Sequence, residues 1–152
     1  MDVSGKTGMK RDTSAAAKLL YENQASFVLC KDDTTVIETE TGLGPLFSAL
    51  KKETNFRGFC AADKIVGKAA AFIYVELGVR EVYAPIMSDA GIYTLARHGI
   101  YPICERSVVD ILNRTGTNIC PIEKLVEGLC DVKQAVAVLE QYFWKEKSRM
   151  AI

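Results

Sequence analysis

A chain of 152 residues suffices for one domain with a sizeable core and is too short for two. Hydrophobic residues make up 49% and charged residues 25%, the balance of an ordinary folded domain. Nineteen basic residues face nineteen acidic ones, which excludes a long-range pull toward nucleic acid or an anionic membrane.

The polar start, residues 1–12, reads as a flexible tail without the apolar centre of a signal peptide. Within it, Ser4-Gly5-Lys6-Thr7-Gly8 looks superficially like a phosphate loop. It lacks the earlier glycine and the preceding strand that the Walker pattern requires. A single domain is expected over residues 13–152. Asp12, Thr13 and Ser14 offer caps for a helix over 15–23. Two β-rich runs, 26–31 and 34–40, flank Asp32-Asp33 and predict a hairpin, although the turn has no glycine. Gly42-Leu43-Gly44-Pro45 follows, with Pro45 suited to the first turn of a helix ending near Glu53.

Residues 63–77 are apolar on nearly every side, which predicts a buried helix. Lys64 and Lys68 then fall at i,i+4 on one stripe of it, and an ammonium is not buried cheaply without a partner. Either their stems carry the amines to the surface, or the amines point into a cavity that wants positive charge. Gly67 in mid-helix would cost about 1 kcal/mol against alanine and suggests a close approach. Asp63 reads as the helix cap.

After Gly78, residues 80–87 predict a short apolar strand, and Ser88 or Asp89 caps a helix closing at Arg97-His98-Gly99. His98 complements that helix end. A weaker strand is expected over 101–105, then helices over 107–113, from Pro121 to Gly128, and from Asp131 onward. The last carries Val132, Val136, Leu139 and Phe143 at core spacing. A hairpin followed by alternating helices and strands predicts an α/β fold, a mixed sheet with helices on its faces. Cys30, Cys60, Cys104, Cys120 and Cys130 lack zinc-knuckle spacing, and their odd number fits reduced thiols in a cytoplasm. No stretch approaches the roughly eighteen apolar residues of a membrane helix.

Ligands in such sheets gather where strand carboxyl ends meet helix amino ends. Three junctions qualify. One brings Cys60, Asp63, Lys64 and Lys68, a second Ser88 and Asp89, and a third the backbone amides near Gly42, Gly44 and Pro45. No cofactor is expected.

The order of elements, with strand, capped helix and closing His98-Gly99-Ile100, resembles the three-layer cytidine deaminase-like fold. That resemblance sets Ser88 and Gly91 of Met87-Ser88-Asp89-Ala90-Gly91 where the superfamily has the two cysteines of Pro-Cys-x-x-Cys. It sets Ala62-Asp63-Lys64 near His-Ala-Glu. Serine binds zinc poorly, glycine has no side chain, and the catalytic glutamate is missing, which argues against zinc-dependent deamination. The chain is also similar, over about 14–146, to a small prokaryotic family of unknown function that keeps this scaffold without the zinc ligands. Segments 41–46, 61–71 and 82–100 carry that likeness. The resemblance implies a pocket, and a cleft that has exchanged a metal for Lys64 and Lys68 would suit a nucleotide or ADP-ribose-type anion. Two alternatives remain: a metal-free transferase or covalent trap with Asp63 or Cys60 as nucleophile, and a homo-oligomeric module without catalysis.

Overall fold

A computed structural model describes residues 9–150 as a six-stranded mixed sheet carrying helices on both faces. The phosphate-loop-like stretch 4–8, like most of the expected tail, lies outside the described residues. Helix α1 (Arg11–Glu22) begins earlier than expected, with Lys10 as its cap residue. Asp12 therefore sits in the first turn, where it complements the helix dipole, and Thr13 is buried inside.

The hairpin forms as expected from β1 (Phe27–Lys31) and β2 (Thr34–Glu38), with Lys31 opposite Thr34. Asp32 replaces the missing glycine by taking φ = 53°, a left-handed conformation that aspartate tolerates better than most residues. β1 then pairs antiparallel with β3 (Cys60–Asp63). Parallel pairing continues through β5 (Glu81–Ser88) to β6 (Tyr101–Val108). Side chains alternate cleanly along these strands. Val28, Cys30, Ala62 and Tyr83 face α1, while Leu29, Ala61, Val82 and Ala84 face the larger core under the other helices.

The expected helix over 63–77 is corrected. Residues 60–66 are extended as β3 and β4 (Ile65–Val66), and α3 (Lys68–Leu77) starts only after Gly67. A strand buried on both faces reads as an unbroken apolar run, and periodicity alone cannot separate it from a buried helix. Lys64 and Lys68 thus share no helical stripe, Gly67 is a cap residue, and Asp63 ends a strand. A second correction concerns 107–113. β6 pairs with β5 as far as Val108, and an extended loop follows in place of the helix, with Leu112 bridged to Ile119. Val108 and Val109 favour that extended geometry.

β3 and β4 keep the same register against β5, so together they form one strand interrupted at Asp63-Lys64. β1 accompanies that strand only as far as Asp63, which pairs with Phe27. Beyond this point the sheet splits. The remaining helices, α2 (Gly44–Ala49), α4 (Asp89–Arg97), α5 (Pro121–Val126) and α6 (Val132–Met150), pack with α3 over the larger core. Among the described residues no helix is long and apolar enough to cross a membrane.

Candidate functional site

The split in the sheet opens a cavity of about 690 Å³. Ser26 and Phe27 bound it on the β1 side, with Asp63, Lys64, Ile65 and Gly67 on the other. Leu43, Leu46, Ala70, Ile111 and Ile122 supply apolar wall, and Tyr142 an aromatic one. Its size suits a drug-sized or nucleotide-sized molecule.

Asp63 is the deepest polar group of this cavity, only 9% exposed. The Tyr74 hydroxyl donates to its Oδ2 at 2.6 Å, and the Ile65 amide donates to Oδ1 at 3.2 Å. Burial pushes the carboxyl up to about 6, and those two donors, with the Lys64 amide, pull back against it. The Tyr74 phenol is raised by its own burial and by the adjacent carboxylate. Asp63 is thus poised near neutrality, as at many functional sites.

A second carboxylate closes the far side. Glu123 of α5 accepts from the Lys68 amide at 2.8 Å and the Ala69 amide at 2.9 Å, capping the first turn of α3. Gly67 leaves room for it. A Cβ there would stand 2.6 Å from Glu123 Cδ and 2.8 Å from its Oε2.

The nine residues expected at the site divide in two. Gly42, Asp63 and Lys64 line the cavity; Gly44, Pro45, Cys60, Lys68, Ser88 and Asp89 do not. Gly44 faces Phe143, and Pro45 starts α2. Cys60 lies at the opposite end of β3, buried beside Cys30 of β1, with burial pushing its thiol up. Ser88 caps α4 by accepting from the Gly91 amide at 3.0 Å, while Asp89 is exposed. Lys68 reaches outward: its Nζ donates to the Glu127 carbonyl at 2.8 Å, 5.8 Å from the centroid of the Phe72 ring. Lys68→Met should therefore change unfolding free energy by less than about 1 kcal/mol. A larger loss in urea titration would mean that the amine does more than this surface bond.

Sequence reading missed Tyr74, Glu123 and Arg114. Tyr74 was hidden because Asp63 and Tyr74 were read as belonging to one helix. Glu123 looked like an ordinary acidic residue in the first turn of α5, and its service to α3 is purely tertiary. Arg114 and Lys64 are both exposed at the cavity, and neither is ion-paired among the described residues.

No group of three or more His, Cys, Asp or Glu among the described residues could hold a metal ion. All five cysteines are free. Architecture and site together define an α/β domain with a largely apolar cavity at the carboxyl end of its sheet. The profile of DUF1893, described as a domain of unknown function, matches residues 15–143, and the chain belongs to that family. It is similar in structure to a DUF1893 family protein from Thermotoga maritima, with a TM-score of 0.80 at 21% identity over 88% of this chain and 92% of that one. That level of identity speaks to the fold alone. A diaminohydroxyphosphoribosylaminopyrimidine deaminase/5-amino-6-(5-phosphoribosylamino)uracil reductase, also from Thermotoga maritima, gives a TM-score of 0.42 at 16% identity. It is matched over 62% of this chain and 35% of its own length, and a likeness that low carries no argument. No curated protein matches significantly.

Proposed function

We propose that this domain binds a nucleotide or ADP-ribose-type anion in the cavity, on a cytidine deaminase-like scaffold that has lost its zinc. The observation that carries the reading is the cavity's polarity: apolar walls suited to a heterocycle, and two cations without an ion pair among the described residues, Lys64 and Arg114, at its exposed side. An anionic tail there would be held by charges still in contact with water, while the flat part of the ligand leaves it.

The loss of zinc has a local reason on this reading. Ser88, at one expected ligand position, already accepts from the Gly91 amide. At the other, a Cβ on Gly91 would come within 3.0 Å of the Val66 carbonyl oxygen and 3.1 Å of the Gly67 backbone, so the space a metal ligand would need is filled by main chain. The donor set does not fit the ion.

Thermal unfolding against a panel of nucleosides and their phosphates tests the proposal, because a ligand of the native state alone must raise its stability. Phosphate-bearing compounds should raise the melting temperature. The double variant Lys64→Ala/Arg114→Ala should lower their affinity about tenfold or more, leaving the uncharged nucleosides unaffected. No shift with any phosphate at millimolar concentration would refute it. The Asp63 carboxyl, pushed up to about 6 and so able to exchange a proton near neutral pH, favours a second reading, proton transfer to or from the bound ligand. Cys60, buried away from the cavity with a raised thiol, offers no such support.

A further inference from the structure

We infer that Asp63 selects the bound base, favouring heterocycles that present two adjacent N–H donors, as the amidine-like edge of guanine does. This rests on the nucleotide reading above and adds to it the identity of the base.

The argument starts from what the cavity offers at depth. Its buried polar group is a carboxylate, which in its ionised form accepts only and has about four lone-pair sites on two oxygens. Tyr74 takes one site on Oδ2 and Ile65 one on Oδ1, while the Lys64 amide, close enough to favour the ionised carboxyl, donates to the Ser26 carbonyl at 3.1 Å. Each oxygen therefore keeps free acceptor capacity. These two donors also fix the plane of the carboxylate, so its orientation does not have to be set by the ligand.

Parallel N–H groups meet a carboxylate bidentately, the geometry that makes guanidinium–carboxylate pairs strong. The N1–H and exocyclic amine of guanine present the same pair. Adenine offers a donor beside an acceptor nitrogen, and that acceptor would face an oxygen lone pair of a carboxylate only 9% exposed. Hypoxanthine keeps the ring N–H and lacks the amine. Xanthine puts a carbonyl where the amine would be. A buried acceptor left unpaired discriminates more sharply than a change in apolar contact does.

Lys64 and Arg114 would hold the phosphate in every case, so the four monophosphates differ only at the base. Affinities of the 152-residue chain for GMP, IMP, XMP and AMP are to be measured by calorimetry at pH 8. GMP should bind about tenfold or more tighter than each of the others. Asp63→Asn, whose amide offers one donor and one acceptor, should reduce that preference to about threefold or less, with circular dichroism confirming its fold. Comparable affinities for all four, or a preference for AMP, in the unmodified protein would overturn the base selection and leave nucleotide binding standing. Binding of none would remove both. Should the variant fail to fold, the wild-type ranking decides alone.

Discussion

Tyr74→Phe is expected to lower the unfolding free energy by about 2–3 kcal/mol at pH 8 and by clearly less at pH 5. The phenol is the shortest hydrogen bond to Asp63, and its loss leaves one oxygen of a buried carboxylate without its donor. The pH dependence follows from protonation. In the folded protein Asp63 titrates at about 6, above its ordinary 3.8, because burial outweighs its hydrogen bonds. Between those two values the native state holds a proton that the unfolded chain has released. Native stability is therefore fully favoured below about pH 4 and lost as pH rises through about 6, by at most about 3 kcal/mol from this residue. Removing the Tyr74 hydroxyl disfavours the ionised form further, so the variant suffers most where ionisation is forced. Urea titrations at pH 5, 6.5 and 8 measure the difference. An equal loss at all three would show that the bond does not depend on the charge of Asp63.

Gly67→Ala should cost about 2 kcal/mol, and combining it with Glu123→Ala should cost no more than the single Gly67 change. The glycine backbone itself is unstrained, with φ = −103°, so alanine meets no conformational penalty there. Its Cβ instead meets the Glu123 carboxylate. The glutamate must swing away from the Lys68 and Ala69 amides and leave them without their cap. Once Glu123 is alanine, that loss has already occurred. A double-mutant cycle reads the coupling directly, and strictly additive costs would place the two residues in separate roles.

Much of the fold was legible in the sequence wherever local chemistry and burial agreed. The hairpin, the strand after Gly78, the Ser88-capped helix and its stop at Gly99 all form, because turn residues and caps act within a few positions. The stretch from Cys60 to Val66 misled for a physical reason. Its first part, Cys60–Asp63, is buried throughout and shows no alternation, and an apolar helix follows shortly after. That one boundary carried most of the site reading with it. Lys64 still reaches the cavity and Lys68 does not, since Lys68 opens the following helix with its amine on the Glu127 carbonyl. Asp63 reads from the sequence as a cap and a candidate ligand residue, and its bond to Tyr74 joins a strand end to a helix that no spacing rule connects. Arg114 lies in the loop after β6, where a helix is expected, and Glu123 belongs to the expected helix from Pro121 but serves α3 across the fold.

The interruption at Asp63-Lys64 has one more consequence. The same short run of chain supplies the sheet's central strand, the acid at the bottom of the cavity and the glycine that admits the Glu123 cap. Changes of ligand preference made at this floor are paid in folding stability as well. Diversification without that penalty is open at Lys64 and Arg114 at the mouth, exposed side chains that can be exchanged while the architecture beneath is left alone.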